Sequence, residues 1–357
     1  MKKLSRFFSE KLNRLVPYTP GEQPKDMKYI KLNTNESPFK PSEKAIKLAS
    51  EAAENLNLYP DPECRVLTQK IADLLGVDYE EVLVTNGSDE ILNFAFIAFC
   101  DSKIGAAFPD ITYGFYPVFA DLNCIEYQTI PLKEDFSINI SDYFGLKKTI
   151  FIANPNAPTG IALPTEEIEE ILKNNPDNVV VIDEAYVDFG GTSCVPLIKK
   201  YDNLLVTQTF SKSRSMAGAR LGFGVGSKAL IADLNTVKYS TNPYNINKMT
   251  MAAGIGILED NDQVIENCNQ IIKNREYTIT ELKKLGFTVT DSKSNFVFAK
   301  HEKIGGKEFY TKLREKGILV RHFDKKKISD YNRITIGSME EMEAFVKAAA
   351  NILEENK

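Results

Sequence analysis

The chain has 357 residues, of which 43% are hydrophobic and 26% charged, as in ordinary globular proteins. Its formal net charge of −5 argues against the broad basic surface that a nucleic-acid partner needs, and no apolar run approaches the length that crosses a bilayer. Because the chain is long for one hydrophobic core, we expect two closely packed domains.

The N-terminal part is predicted to form an arm followed by two helices. The opening "MKKLSRFFSEKLNRL" has the pattern of an amphipathic, mixed-charge helix and lacks the long apolar stretch of a signal peptide. The segment 17–24, "PYTPGEQP", reads as an extended arm. A short strand in "YIKLNTNESPF" precedes two helices, "PSEKAIKLASEAAENLN" with a Pro–Ser cap and "VLTQKIADLLG" ending at Gly76.

From residue 81, short apolar or β-branched runs alternate with helical segments. The runs are "EVLVT", "IGAAF", "TIFIA", "VVVID", "LLVTQTF" and "GFGVG". This alternation predicts an α/β fold, with a mainly parallel sheet between helices.

The C-terminal part is predicted to form a smaller α+β unit. It contains a long helix at about 259–284, the strands "FTVT", "NFVFA", "GILVR" and "NRITIG", and helices at 305–316 and 338–354. We therefore expect three parts: an arm at 1–29 that packs on the small domain or a partner subunit, a large domain at 30–250 and a small domain at 251–357.

The cysteines and histidines exclude several kinds of site. The five cysteines are scattered without a C-x-x-C pair, which favours unpaired buried thiols in a reducing cytoplasm over zinc or disulfides; they are Cys64, Cys100, Cys124, Cys194 and Cys268. Two histidines, His301 and His322, are too few for a histidine-rich metal site and make a Ser–His–Asp triad hard to build. Any proton transfer must rely on other groups.

Two strand ends carry candidate binding loops, since ligands of parallel α/β sheets collect beyond the carboxyl ends of strands. "EVLVT" is followed by "NGSDE", where Gly87, Ser88 and Asp89 open a helix whose backbone N–H groups can bind a phosphate. An ordinary helix cap explains the same residues. "TIFIA" is followed by "NPNAPTG" at 154–160, a polar loop or a plain tight turn.

Two further strand ends carry a carboxylate and a lysine. Asp183 ends "VVVID", where a carboxylate is costly unless a cation or donor meets it, and Tyr186 follows; a capping aspartate is the simpler interpretation. Lys212 lies among hydroxyls in "TFSKSRSMAGARLGFG", together with Arg220, whereas Arg214 is expected to be a solvated surface charge.

Together the four strand ends fit pyridoxal 5'-phosphate. The aldehyde of this cofactor needs a lysine, and its pyridine nitrogen needs a carboxylate to stay protonated. Its phosphate needs backbone N–H groups, hydroxyls and an arginine.

With these residues the chain resembles the fold-type I pyridoxal-phosphate-dependent aminotransferases, and among them the histidinol-phosphate aminotransferases of histidine biosynthesis. The resemblance covers nearly the whole chain, through the ordered set "PYTPGEQP", "IKLNTNESPF", "LYPDPE", "TNGSDE", "ITYGFY", "NPNAPTG", "VVIDEAYVDF", "TFSKSRSMAGARLGFGVG", "GILVR" and "NRITIG". It implies a homodimer that moves an amino group between glutamate and a phosphorylated oxo compound, imidazole acetol phosphate.

The resemblance also implies a role for each candidate residue. Lys212 forms the Schiff base and moves the proton, Asp183 pairs with the pyridinium nitrogen, and Tyr186 binds the ring phenolate oxygen. Arg333 holds the substrate carboxylate, and Arg321 and Tyr18 hold its phosphate end. The remaining cofactor contacts are Tyr113 on the pyridine face and, at the phosphate, Ser88, Asp89, Thr209, Ser211, Arg220 and Tyr59 of the other subunit.

Two positions depart from the family pattern. The asparagine that touches the ring phenolate oxygen in the family is Ala157 here, so either Asn154 or Asn156 substitutes or Tyr186 acts alone. The second asparagine of the family's "N-E-N-P" is Ser37.

Other functions stay open at this point. A decarboxylase of an amino-acid phosphate, or a transaminase for another oxo phosphate or an aromatic amino acid, would use the same cofactor; carbon dioxide instead of 2-oxoglutarate would mark the decarboxylase. A non-enzymatic binding module would need a DNA-binding extension or a lost lysine, and the sequence shows neither.

Overall fold

A computed structural model describes residues 5–355 of the chain. The strands are β1 (Ile30–Lys31), β2 (Val82–Thr85), β3 (Ala106–Pro109), β4 (Tyr127–Ile130), β5 (Thr149–Ala153), β6 (Val180–Asp183), β7 (Leu204–Thr209), β8 (Gly222–Gly226), β9 (Phe287–Val289), β10 (Phe296–His301), β11 (Ile318–Leu319), β12 (Arg321–His322) and β13 (Tyr331–Thr335). The helices are α1 (Glu43–Ala52), α2 (Arg65–Leu75), α3 (Gly87–Phe99), α4 (Tyr116–Leu122), α5 (Thr165–Lys173), α6 (Lys228–Thr241), α7 (Lys248–Glu259), α8 (Asn261–Lys284), α9 (Gly306–Glu315) and α10 (Met339–Glu355).

The large sheet has seven strands in the order β2-β8-β7-β6-β5-β3-β4. Strand β8 is antiparallel to both of its neighbours, and the other pairings are parallel. The predicted, mainly parallel sheet is therefore confirmed. The sequence patterns missed the edge strand β4, because its residues 127–129 are exposed and its sequence lacks an apolar run.

Alternate side chains of the central strands build a hydrophobic core on each face of this sheet. In β6, Val181 packs with residues of α3, α4 and α6, whereas Val180 and Ile182 pack with residues of α2, α5, α7 and α8. A strand that is buried on both faces reads as a continuous apolar run, which is why these strands were visible in the sequence.

The C-terminal residues form a second, antiparallel sheet in the order β12-β13-β10-β9, and β1 pairs with β11 in parallel. Phe296, Ile334 and Phe345 belong to the same core cluster as Ile182 of the large sheet, so the two sheets share one apolar interior. The division at residues 250 and 251 stays a prediction; α7 runs through that point.

The N-terminal segment differs from its prediction. Within residues 5–17 the structure has only a 3-10 turn at Glu10–Leu12, so the predicted amphipathic helix is wrong there, and residues 1–4 lie outside the described part. Segment 17–24 contains no helix or strand, which is compatible with the predicted arm. Glu22 of this segment contacts α9: its carboxylate accepts hydrogen bonds from the Tyr310 hydroxyl and from Arg314 Nε, the latter at 3.2 Å.

The cysteines are all free, and four of them are buried, as expected from their scatter. Cys124 is the exception, since it is exposed, and the prediction of a buried thiol is wrong at that position. None of the helices within residues 5–355 is long and apolar enough to cross a membrane.

Candidate active site

A cavity of about 340 Å³ opens where the central parallel strands end. The strand register places Ala153 and Asp183, the last residues of β5 and β6, beside Thr207 of β7. The sequence-predicted residues that line the cavity are Tyr18, Ser88, Asp89, Tyr113, Asp183, Tyr186, Thr209, Ser211, Lys212 and Arg220. The fold thus brings together residues that are far apart in the chain.

Asp183 lies in this cavity as a carboxylate that is only 4% exposed. Tyr116 Oη donates to one of its oxygens and Thr207 Oγ1 to the other, each at 3.2 Å. Burial raises the pKa of Asp183 to about 6, against the opposing effect of these hydrogen bonds. At neutral pH it is therefore mostly a buried anion, which a bound cation such as a protonated pyridine nitrogen stabilises.

Lys212 reaches the same cavity just after β7. Its Nζ donates to the carbonyl of Thr34 at 3.3 Å and lies 5.9 Å from the centre of the Tyr186 ring. Burial, followed by the positive charge of Arg333, lowers the pKa of Lys212 to about 8. About a tenth of the amine is then neutral at pH 7, far more than for an ordinary lysine, and the neutral amine is the form that attacks an aldehyde.

We expect covalent capture of pyridoxal phosphate by the cofactor-free protein to follow this pKa. Only the neutral amine attacks, so the rate should rise with pH, reach half its maximum near pH 8 and level off above it, instead of rising towards the ordinary lysine value of 10.5. Stopped-flow absorbance across a pH series measures the rate. Arg333→Gln removes a neighbouring cation, so it should move the midpoint upwards. A midpoint near 10 in the unmodified protein would contradict this environment.

An anion site lies beside Lys212, at the start of α3. The hydroxyls of Thr209 and Ser211 are 3.0 Å apart, and Arg220 Nη1 is 3.4 Å from Ser211 Oγ. A Cβ added to Gly222 would lie 2.5 Å from the backbone of Gly87 and Ser88, so a glycine is needed for β8 to approach the N-terminus of α3. Helix N–H groups, hydroxyls and an arginine that converge in this way fit a phosphate group.

Asp89 contributes to this site differently from a direct phosphate ligand. Its carboxylate accepts hydrogen bonds from Arg220 Nη2 at 2.9 Å and from Tyr113 Oη at 2.6 Å. The side chain therefore holds Arg220 and Tyr113 in place, and only its backbone N–H is suited to an anion.

A second cavity of about 650 Å³ adjoins the first and shares Tyr18, Tyr113 and Lys212 with it. Arg321 and Arg333 line its wall as directly paired residues of the neighbouring strands β12 and β13. Their guanidinium groups donate to backbone carbonyls, Arg321 to Thr19 at 3.1 Å and Arg333 to Asn33 at 3.1 Å. Like charges opposite one another repel, so this pair favours an anionic ligand.

The structure does not support Asn154 or Asn156 as substitutes for an asparagine at position 157. Asn156 donates to the Ile111 carbonyl and Thr159 Oγ1, each at 3.0 Å, and accepts from Thr112 Oγ1 at 2.8 Å. Both ends of the Asn154 amide bind the backbone of Leu163. These amides hold the loop together, and Ala157 lines the cavity instead, so the predicted cofactor contact of Asn156 is withdrawn.

Two other residues lie outside both of these cavities. Tyr59 is 79% exposed and stacks on Tyr244, with ring centres 4.5 Å apart. Arg214, expected to be a solvated charge, is only 6% exposed: its Nη1 lies 3.2 Å from the carboxylate of Asp188, so that prediction is wrong. A carboxylate supplied by another part of the chain is what permits its burial.

Sequence reasoning missed the part of the site that "LNTNES" supplies. Thr34 and Glu36 line the cavity, and the carboxylate of Glu36 accepts from Lys31 Nζ at 2.6 Å and from Thr34 Oγ1 at 2.7 Å. Asn35 contacts the hydroxyl of Tyr186. This motif carried part of the resemblance, but nothing in its composition gave these residues a role.

The chain belongs to the aminotransferase class I and II family, which matches residues 27–348. It is thus an enzyme of the transaminase class, and the predicted fold and the predicted cofactor, pyridoxal phosphate, are confirmed.

The relatives also confirm the more specific resemblance. A histidinol-phosphate aminotransferase from Brachyspira hyodysenteriae is 50% identical over 352 residues, which cover 98% of this chain and 99% of the relative. The crystal structure of histidinol-phosphate aminotransferase from Sinorhizobium meliloti in complex with pyridoxal-5'-phosphate matches in fold, with a TM-score of 0.89, 21% identity and all of both chains covered. L-threonine-O-3-phosphate decarboxylase from Porphyromonas gingivalis matches with a TM-score of 0.79 and 25% identity over 91% of this chain and 99% of that one.

Proposed function

We propose that the chain transfers an amino group between L-histidinol phosphate and 2-oxoglutarate, with pyridoxal phosphate as its cofactor. The observation that carries the proposal is the arginine pair, Arg321 and Arg333, in a cavity that also contains Lys212. Two guanidinium groups beside one reactive amine suit substrates with an anionic group away from the reacting carbon. The 50% identity to a histidinol-phosphate aminotransferase supports this substrate over the decarboxylase alternative.

The residues of the two cavities divide the chemistry between them. Bound pyridoxal phosphate supplies an aldehyde for the substrate amine and a protonated ring that withdraws electrons from the reacting carbon. Asp183 holds the proton on the ring nitrogen, because an ionised carboxylate in a buried site favours a cation next to it. Lys212 Nζ would hold the cofactor aldehyde and, as a free amine, would accept the proton that leaves the substrate carbon and donate it again.

Turnover with a panel of amino donors tests the proposed substrate. The purified holoenzyme is assayed with 2-oxoglutarate and L-histidinol phosphate, L-histidinol, O-phospho-L-threonine or L-phenylalanine. We expect kcat/KM for histidinol phosphate to exceed that for histidinol at least about a hundredfold, since a lost charge-assisted contact costs a few kcal/mol. Carbon dioxide release from phosphothreonine, or a preference for phenylalanine, would overturn the assignment.

The two arginines are expected to affect the two half-reactions differently. Arg333→Lys should slow the reaction with glutamate most, because Arg333 binds the α-carboxylate. Arg321→Lys should slow both and should lower the rate with histidinol phosphate roughly a hundredfold, because lysine cannot bind an anion with two parallel hydrogen bonds. Single-turnover absorbance measures each half-reaction. Arg14→Lys, an exposed arginine that pairs with Glu126 outside both cavities, is the matched control. An unchanged histidinol phosphate reaction in Arg321→Lys would remove the phosphate-binding role.

We also propose that the enzyme is a cytoplasmic homodimer with shared active sites. The loop that carries Tyr59 is held on the protein by a hydrogen bond from α6: the buried Lys238 donates its Nζ proton to the carbonyl of Pro62. The exposed apolar side chains of this region are Leu56, Leu58, Tyr59, Val66, Tyr239 and Tyr244. Such a patch favours burial against a second copy, from which Tyr59 reaches the cofactor phosphate. The five free thiols fit a reducing compartment.

Mixing two inactive variants tests the shared site. A dimer of one Lys212→Ala subunit and one Tyr59→Phe subunit has one site free of both changes. We expect the mixture to regain a large part of the activity of one intact site after subunit exchange, well above either variant alone. Sedimentation velocity reports the oligomeric state. A fully active monomer, or a mixture no better than the average of its components, would refute the arrangement.

A further inference from the structure

We propose that Asn35 is a positioning residue that fixes the direction of the Tyr186 hydroxyl proton, so that Tyr186 donates a hydrogen bond to the 3'-oxygen of the cofactor. The proposal rests on the proposed function, since it concerns pyridoxal phosphate bound between Asp183 and Lys212. It assigns a role to a residue that lines the larger cavity only and that contacts Tyr186, which lines both.

Asn35 is held at several points. It is 1% exposed, has a left-handed backbone with φ of 56°, and donates its backbone N–H to Thr335 Oγ1 at 2.9 Å. Its own carbonyl accepts from Asn295 Nδ2 at 3.0 Å. These contacts tie the loop after β1 to the second sheet and leave the side chain little freedom.

The same contacts fix which end of the Asn35 amide faces Tyr186. Thr335 Oγ1 already accepts from the backbone of Asn35, and its single proton is donated to Asn35 Oδ1 at 3.1 Å. The oxygen end of the amide is therefore used, and Nδ2 lies 2.9 Å from Tyr186 Oη. An amide nitrogen only donates, so the tyrosine oxygen is the acceptor in this contact.

The Tyr186 proton must then point elsewhere. A phenol has one proton, and here its oxygen receives a hydrogen bond from Asn35. The ring cannot turn away, because it packs edge-on against Phe296 at 5.1 Å and is 9% exposed. The cavity that Tyr186 shares with Asp183 and Lys212 is the remaining direction for the proton, and the 3'-oxygen of a cofactor held by these two residues would accept it.

The direction of the Tyr186 proton is important because residue 157 is alanine and offers no second hydrogen-bond donor to the 3'-oxygen. Ala157 lines both cavities and has no polar side-chain atom, and the amides of Asn154 and Asn156 are used within their loop. A single donor at the 3'-oxygen stabilises its anionic form, which makes the neighbouring nitrogen easier to deprotonate. Loss of that donor should raise the pKa of this nitrogen, which is measured from the change of the cofactor's absorbance with pH.

The test uses Asn35→Asp in the holoenzyme. A carboxylate accepts hydrogen bonds, so Tyr186 would turn its proton to residue 35 and away from the cofactor. We expect the pKa of the cofactor's absorbance change to rise by about one unit or more, since hydrogen bonds to charged groups are the strong ones. Tyr186→Phe should give a rise of similar size. Ser37→Asp, a charge in the same loop at a hydroxyl that contacts Ser215, should give a much smaller rise.

A double variant distinguishes an effect transmitted through the Tyr186 hydroxyl from a direct electrostatic effect of the new carboxylate on the cofactor. If Asn35 acts through Tyr186, Asn35→Asp should raise the pKa little further in the Tyr186→Phe background. A rise of equal size in both backgrounds, or no rise in Asn35→Asp alone, overturns the proposal. Thr335→Val, which allows the Asn35 amide to turn, is the second variant if Asn35→Asp does not fold. It should give a smaller rise of the pKa, and this rise should also disappear in the Tyr186→Phe background.

A colourless protein that binds no cofactor would overturn the proposed function itself, whereas a coloured, active enzyme without these rises would overturn only the role of Asn35.

Discussion

Lys212→Ala is expected to fold, to bind pyridoxal phosphate without a covalent link, and to lose amino transfer by roughly four or more powers of ten. Two functions disappear together with this side chain. Its Nζ is the nucleophile that holds the aldehyde, and its lowered pKa, about 8, makes it the base that moves the proton between two carbons. No other lysine lines the smaller cavity.

Absorbance of the bound cofactor and steady-state turnover check this result. Lys212→Arg is the charge-matched comparison and should be as inactive as alanine, because a guanidinium stays protonated. Lys200→Ala, an exposed lysine paired with Glu169, is the control for a general effect of losing a lysine. A small added amine should restore part of the proton transfer in Lys212→Ala. Normal turnover in Lys212→Ala would refute the assigned role.

Asp183→Asn is expected to lower kcat by about three powers of ten while the fold remains intact. A neutral amide cannot hold a proton on the ring nitrogen, so electron withdrawal from the reacting carbon weakens. Hydrogen bonds from Tyr116 and Thr207 hold the carboxylate at the strand end, and the N-cap of the turn that follows is Tyr186, not Asp183. Turnover at the wild-type rate would contradict the pairing with the ring.

The same variant should be more stable than wild type when the cofactor is absent. The pKa of Asp183 is raised from 3.8 to about 6 in the folded protein, so ionisation above pH 6 costs about 3 kcal/mol, and this cost vanishes as the pH falls below 4. Asp183→Asn removes that cost. Thermal melts of the cofactor-free proteins should therefore differ at pH 7 to 8 and converge towards pH 4. A variant that melts lower than wild type at pH 8 would contradict this sign.

The sequence predicted the parts of the site that lie at strand ends. Asp183 and Lys212 follow buried apolar runs, and parallel strands bring their carboxyl ends to one edge, so pattern and topology together placed these two residues. The helix start at Gly87 followed from the same logic.

Other parts depend on contacts that no local pattern encodes. Asn35 meets Tyr186 because a left-handed turn and Thr335 of a distant strand hold it there. Arg214 is buried because Asp188 lies next to it in space, although its charge alone predicts exposure. Tyr127 and its neighbours form an edge strand with exposed side chains, which leaves no apolar signal.

The most direct test of the account follows nitrogen from one substrate to the other. Purified holoenzyme is incubated with nitrogen-15 glutamate and imidazole acetol phosphate, and the products are resolved by mass spectrometry. The account predicts labelled histidinol phosphate, an equal amount of 2-oxoglutarate and no carbon dioxide, with no label transferred by Lys212→Ala. Unlabelled product, or carbon dioxide without transfer of the label, would contradict it.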